Sequence, residues 1–265
     1  MLREEREQYI LKLLETKSIV TVAELSEAFH VSEVSIRKLL SAMEKKGSIK
    51  RTWGGAIGLD GSLQEYSHLE KNTRYLREKL SIAKAAYNCI DNGDAIFLDS
   101  GTTTLQLARL IKQGEKKRIL LTTNAVNIAM EFADAPEFSV FLVGGEFRHR
   151  ILCSTGNFAE SMVRQLFFDK GFISGNHLSL QHGFTTPNIQ EANFKRTVMQ
   201  SSKSSYLLLD HSKMGDDSFS LVCGVKEIDK VITDWEVPVY FIEQLRAKGV
   251  DVICGQEPAY HRMDV

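Results

Sequence analysis

Apolar residues recur along the first sixty positions at the spacing of short helices. Tyr9, Ile10, Leu13 and Leu14 mark one face of a segment over residues 3–15, with charges on the other side. An extended piece at 19–22 follows. Thr21 precedes a second helix over 22–29, with Glu24 three positions on, the spacing of a capping box. After a turn at 30–32, capped by Ser32, a third helix over 33–46 carries Ile36, Leu39, Leu40 and Met43 at i, i+3, i+4 and i+7. At about 100° per residue its opposite face shows Val34, Lys38, Ser41 and Lys45, with Arg37 on the flank and Ser32 and Ser35 at the start. Gly47 is placed to end it. Residues 48–57 read as two short strands around Gly54 and Gly55.

Polar residues 58–68 read as a linker, and a helical pattern resumes from 69 to 90 with Leu76, Leu80, Ala83, Ala86, Tyr87 and Ile90 inward. From residue 93 the pattern alternates. Short β-branched or aliphatic runs at 95–98, 119–122, 139–143, 170–174, 205–209, 230–233 and 250–254 are separated by helical stretches at 103–113, 124–134, 157–167, 190–202 and 239–248. Near-continuous apolar strands alternating with helices predict a mostly parallel sheet covered on both faces. The division is a domain of three short helices and a hairpin over 1–57, a linker and start of a connecting helix over 58–75, an α/β domain over 76–258, and a tail over 259–265.

Composition narrows the function. Lys and Arg total 33 against 34 Asp and Glu, so the 265-residue chain is no polycation, and any contact with nucleic acid comes from a local patch. Such a patch exists: residues 1–58 carry 10 basic and 8 acidic groups, yet from Arg37 to Arg51 there are six bases and one acid, Glu44. The first residues lack the apolar core of a secretory signal, and no run is long and apolar enough to span a membrane, so the cytoplasm is the expected compartment. The four cysteines, Cys89, Cys153, Cys223 and Cys254, contain no Cys-x-x-Cys pair and read as buried structural thiols.

Three short helices followed by a hairpin make a winged helix-turn-helix. The major groove of B-DNA admits an α-helix, and small polar and basic side chains on the second helix of the pair suit it. Ser32, Val34, Ser35, Arg37, Lys38, Ser41 and Lys45 form the candidate reading face, with Lys50 and Arg51 on the wing for the adjacent backbone or minor groove. A solvated basic face on a protein-interaction domain is the alternative, and the complete element order favours DNA.

In open parallel sheets, ligands bind beyond the carboxyl ends of the strands. Those ends carry Asp99, Ser100, Gly101, Thr102, Thr103 and Thr104 after the first strand, Thr123 and Asn124 after the second, and Gly144 and Gly145 after the third. Gly175 follows the fourth, and Asp210 and Lys213 the fifth. Small hydroxyl residues at a helix start suit an anion. Glu191 and Lys195, spaced i, i+4, read alone as a solvated ion pair. With 183–187 read as a loop over the rim, they read as ligand contacts. His149, His177, His182 and His211 map near the same rim, but none is spaced as a metal-ligand pair. No metal and no cofactor are expected, and without a Gly-x-Gly-x-x-Gly turn neither is a dinucleotide.

The stretch from Val31 to Leu40, continuing through Glu44–Arg51 to Gly54, Gly55 and Ala56, resembles the DNA-binding signature of DeoR-type bacterial regulators. The usual Arg-Arg-Asp-Leu is here Arg37-Lys38-Leu39-Leu40. Lys38 lacks arginine's planar fork and Leu39 removes a carboxylate, which implies an unusual operator and affinity leaning on phosphate contacts. Residues 99–104, 123–125, 144–145, 168–170, 183–186, 195–196, 210–213 and 232–234 resemble the sensor domain of the same family, similar in fold to ribose-5-phosphate isomerase. Lys71 stands where the family usually has arginine. The resemblance implies a repressor of a carbohydrate-utilisation operon, binding double-stranded operator DNA as a homodimer or homotetramer, with a phosphorylated sugar as effector. Two alternatives are a sugar-phosphate isomerase, with Asp210 or Glu191 as base, and a DNA-binding protein whose large domain only oligomerises. The isomerase would have no use for residues 1–57.

Overall fold

The computed structural model describes residues 3–16, 19–46, 48–52, 54–58 and 68–258, with the backbone alone at 15, 16, 19, 50, 52, 57, 58 and 68–70. The chain divides into two units, Met1–Tyr66 and Ser67–Val265.

The first unit runs α1 (Arg3–Thr16), β1 (Ile19–Thr21), α2 (Val22–Phe29), α3 (Glu33–Lys45), β2 (Ile49–Thr52) and β3 (Gly55–Gly58). The helix starts are as the sequence implies. Thr21 Oγ1 accepts from the Glu24 backbone N–H at 3.1 Å, and Ser32 Oγ from that of Ser35 at 3.4 Å. Ile10, Leu25, Ile36, Leu40, Met43 and Ile49 are fully enclosed in the core. The extended piece does more than connect: β1 pairs antiparallel with β3, giving a three-stranded sheet in the order β1-β3-β2. That pairing explains the two glycines. Gly54 turns at φ +96, while a Cβ on Gly55 would stand 2.0 Å from the Val20 carbonyl oxygen. Gly47, expected to end α3, lies outside the described residues.

The second unit begins with α4 (His68–Thr73) and α5 (Leu76–Asn88), then β4 (Ala95–Leu98), α6 (Thr102–Gln113), β5 (Leu120–Thr123), α7 (Val126–Glu131) and β6 (Ser139–Leu142). A hairpin of β7 (Glu146–Arg148) and β8 (Cys153–Thr155) leads to α8 (Asn157–Val163) and β9 (Phe168–Ser174). Next come β10 (His177–Ser179), β11 (Gly183–Thr186), α9 (Ile189–Gln200), β12 (Ser202–Leu208) and β13 (Ser220–Cys223), and the unit closes with β14 (Lys230–Thr233), α10 (Val239–Ala247) and β15 (Asp251–Cys254). All seven expected runs are strands of one sheet, ordered β15-β14-β12-β9-β4-β5-β6, with every pairing parallel. Adjacent strand residues face opposite cores. Ile96 and Leu98 lie with α5, α6 and α7, and Phe97 with α8 and α9. From β4 the chain winds outward through β5 and β6, then returns to β9 on the other side of β4. The order reverses between β4 and β9, where α/β sheets open toward ligands.

The structure corrects several expectations. The helix drawn from 69 to 90 is broken, because Tyr75 takes a left-handed backbone (φ 52, ψ 42) between α4 and α5. Leu76, expected inward, is 44% exposed, while Lys79 is buried. Helix α7 starts at Val126 rather than 124 because Ala125 is extended and bridges to Cys153. Residues 183–186 are not a loop but the central strand of a three-stranded antiparallel sheet, β10-β11-β13. That sheet and the β7–β8 hairpin left no strong alternating pattern to find. Cys153 and Cys223 are buried, but Cys254 is exposed at the end of an outer strand and Cys89 is half-buried. Among the described residues no helix is long and apolar enough to cross a membrane.

Leu40→Ala should remove about 2–5 kcal/mol from the first unit, since Leu40 is wholly enclosed and its cavity cannot be filled from solvent. Urea denaturation followed by circular dichroism should show an early-melting phase in the variant and leave the second unit's transition in place.

Candidate nucleic-acid interface and anion-binding rim

The two faces of α3 divide as the spacing implies. Burial of Ile36, Leu39, Leu40 and Met43 turns Val34, Arg37, Lys38 and Lys45 outward, and Val34 is 62% exposed. Ser32 and Ser35 are exposed at the helix start, Ser41 is half-buried, and Arg51 is exposed on the wing. Lys50 lies on β2, with its side chain outside the described set. The one acid of the stretch is occupied, since a Glu44 carboxylate oxygen accepts from the Arg51 backbone N–H at 2.8 Å. Arg37 donates to Glu33 at 2.9 Å. Such an exposed i, i+4 pair contributes only ~0.3–0.5 kcal/mol, so a phosphate or base edge can displace it.

On the second unit, the five loops picked from the sequence follow β12, β9, β4, β5 and β6, which are consecutive in the sheet. At the reversal point lies a buried ion cluster. Lys195 of α9 is 1% exposed and donates to Asp99 at the end of β4, to Glu191 at 3.1 Å, and to the Ser174 carbonyl at 2.8 Å. An ammonium has three donors, and all three are engaged. Asp99 also accepts from the Ser174 backbone N–H at 3.2 Å, and Arg148 of β7 donates to Glu191 at 3.2 Å. Glu191 and Lys195 are therefore not the solvated pair their spacing suggests but a buried pair bonded to Asp99, Ser174 and Arg148. They hold the rim from behind, together with Asp99. Burial works against the charge on Lys195, but Asp99 and Glu191 outweigh it and raise its pKa. Burial likewise works against ionised Glu191, yet Lys195, Lys71 and Arg148 bring its pKa down to about 2.

The loop after β4 is built for close approach. Gly101 leaves room for Ser174, whose Oγ stands 2.0 Å from where a Cβ would be. No side chain caps the start of α6. Thr104 points inward, its hydroxyl donating to the Asp99 carbonyl at 2.6 Å and the Gly101 carbonyl at 3.0 Å, so it serves the loop itself. Thr102 and Thr103 are buried, and Ser100 lies against Cys153, whose thiol burial pushes up to about 12. Thr123 Oγ1 accepts from the Ala125 N–H at 3.0 Å. Asn124 donates to the Ser154 carbonyl at 2.9 Å, leaving its side-chain oxygen buried without a hydrogen-bond partner. Gly144 and Gly145 are exposed after β6. Gly175 is a close-contact glycine, since a Cβ there would meet the Phe184 ring at 2.0 Å.

Beyond β12, Asp210 caps a short 3₁₀ turn, its carboxylate accepting from the Ser212 N–H at 3.1 Å. Beside it is a feature the helical pattern missed. Lys79, expected on no functional face, is buried among Lys213, Lys71 and Arg74, with Asp210 opposite. Burial first, then the neighbouring cations, lower its pKa to about 8. The charge of Lys71 is felt at both Lys79 and Glu191. The break at Tyr75 and the distance of Lys213 along the chain concealed the grouping. Of the four histidines, His211 joins this region through Asp234 (2.8 and 3.1 Å), whereas His177 and His182 bond Ser218 and Asp217, and His149 lies against Phe147.

Residues 6–60 match the DeoR-like helix-turn-helix domain, and residues 74–235 match the DeoR C terminal sensor domain. An uncharacterized HTH-type transcriptional regulator, FruR, of Bacillus subtilis is 36% identical over 236 residues, covering 89% of this chain and 93% of its own. The lactose phosphotransferase system repressor of Staphylococcus aureus is 33% identical over 237 residues, covering 89% and 94%. Among solved structures, ribose 5 phosphate isomerase A from Neisseria gonorrhoeae shares 14% identity over 54% of this chain and 55% of that one, with a TM-score of 0.38.

Lys195→Met should destabilise the second unit by about 3–5 kcal/mol, because it leaves buried carboxylates without their cation. Since the folded pKa of Glu191 lies below its ordinary value, its contribution is complete above about pH 4.5 and fades as pH falls toward about 2. Glu191→Gln should flatten that part of the acid denaturation curve, which a pH series of urea melts measures.

Proposed function

This chain belongs to the DeoR family of transcriptional regulators, and on that premise we propose that it is a repressor of a carbohydrate-utilisation operon, acting in the cytoplasm on double-stranded operator DNA and released or retained by a phosphorylated sugar. The observation that carries the sensing half is the gathering of Lys71, Arg74, Lys79 and Lys213 around Asp210, with the Lys79 ammonium bonded to the carbonyls of Lys71 and Arg74. A phosphate dianion neutralises that crowding, and the start of α6, which no side chain caps, offers backbone N–H groups on the same rim. Asn124 and Thr155 support the sugar end: each has a buried side-chain oxygen without a hydrogen-bond partner, suited to hydroxyl groups. Ser100, Gly101, Thr102 and Thr103 line the phosphate side by backbone and hydroxyl groups. Asp99, Glu191 and Lys195 support the loops instead of touching the ligand.

The reading half rests on α3. Its outward face is short, polar and basic, and Lys38 and Leu39 shift the balance from base reading toward phosphate contact. Two heads meet two half-sites one helical turn apart in such proteins, so a homodimer or homotetramer is the working assembly. The outer strand β6, with Phe141 57% exposed, offers apolar surface for it. The isomerase alternative is set aside. The family is regulatory, and both candidate bases are engaged, Asp210 by Ser212 and Glu191 by Lys195 and Arg148.

Arg37→Ala should abolish retardation of the chain's own upstream DNA in a gel-shift assay while sugar-phosphate binding, read by calorimetry, stays at the wild-type level. Undiminished retardation would overturn the assignment of α3. A bound phosphate must also raise the depressed pKa of Lys79, so binding takes up protons and weakens as pH rises through about 8. Calorimetry over pH 7–10 should show that slope in wild type and its loss in Lys79→Met.

A further inference from the structure

The periodicity of residues 69–90 is that of one helix, yet the chain breaks it at a tyrosine. A left-handed backbone costs a residue with a Cβ roughly 1–2 kcal/mol, and Tyr75 has neither glycine's freedom nor the local side-chain bonding of asparagine. Something must hold the break open, and two contacts do. The ammonium of Lys79 donates to the carbonyl of Lys71 in α4 and to that of Arg74 just beyond it. The ring of Tyr75 meets that of His211 edge-on at 5.0 Å. His211 is itself fixed to fully buried Asp234 through both its backbone N–H and its ring nitrogen.

Both holding groups belong to the rim. Lys79 is at the centre of the cation cluster, and His211 is the residue after Asp210. One ammonium thus serves two sets of partners, the carbonyls on the N-terminal side of the break and the charged neighbours around Asp210, with one donor left over. Helix α4, which also rests on α6, is the first described element after residues 59–67, through which the chain reaches the DNA-reading unit.

We propose that the Tyr75 break is a two-state joint that passes occupancy of the rim to the DNA-reading unit: broken while Lys79 and His211 clamp it, and a single continuous helix over residues 68–88 when they let go. The proposal rests on the sensing role assigned above. An anion beside Lys79 keeps it charged, charge strengthens its bonds to the carbonyls of Lys71 and Arg74, and the broken form gains. Without the anion, the intrinsic helical preference of the segment competes. The effector therefore has the differential affinity for two states that any switch requires.

Hydrogen exchange read by mass spectrometry on the full-length chain, with inorganic phosphate as probe, tests this. Phosphate should slow exchange in the peptide spanning 71–80 in step with that spanning 210–213, and in His211→Ala the first response should vanish while the second persists. In gel shifts on the chain's own upstream DNA, Tyr75→Gly favours the broken form and Tyr75→Ala the continuous one. The two should move operator affinity in opposite directions, about fivefold apart, the margin between glycine and alanine within a helix. Protection at 210–213 without any change at 71–80, or equal operator affinity in the two Tyr75 variants, overturns the joint and leaves the sensing role standing. No protection at either peptide overturns both.

Discussion

A buried ammonium organises the second unit. Lys195 sits out of contact with water between two carboxylates and a carbonyl. A charge so placed is tolerated only when each of its donors is matched. Matching them joins the end of β4 through Asp99, the end of β9 through Ser174, and α9 through Glu191. Those are the elements that flank the reversal of strand order. Gly101 and Gly175 then follow from closeness, one beside Ser174 and the other against Phe184. The loops after β4 and β9 are thereby tied to α9.

With that support behind it, the rim separates two electrical roles. The inner cluster is closed: its cations and carboxylates satisfy one another, and Arg148 reaches in from the β7–β8 hairpin to complete the set. The outer cluster, around Lys79, is cation-rich, and burial first and then the neighbouring cations disfavour the charge on Lys79. Lys71 acts on both, so the closed cluster and the open one share an electrostatic border. In the first unit the logic is simpler. Four apolar positions fix the rotation of α3, and whatever lies opposite them faces solvent.

Much of this was present in the order of residues. Strands buried on both faces need continuous apolar runs, and all seven runs of the parallel sheet are visible as such. Helix starts announced themselves through Thr21 and Ser32, whose side chains accept the first free N–H groups. Five loops with small polar residues were placed on one rim because parallel topology puts all carboxyl ends on the same side. The β7–β8 hairpin and the antiparallel β10-β11-β13 sheet escaped, since strands of three or four residues carry too little periodicity to separate from loops.

What local pattern settled was periodicity, capping and the side of the sheet on which chemistry gathers, because each depends on neighbours within a turn or a strand. What only tertiary structure decided was charge. Glu191 and Lys195 have the spacing of a surface pair, and nothing within their helix says that Asp99, nearly a hundred residues earlier, takes water's place around them. Tyr75 reads as one more helical residue until Lys79 and His211 hold it otherwise. The electrostatic environment of a side chain and the strain its backbone can bear are set by groups remote in sequence, and only folding brings them together.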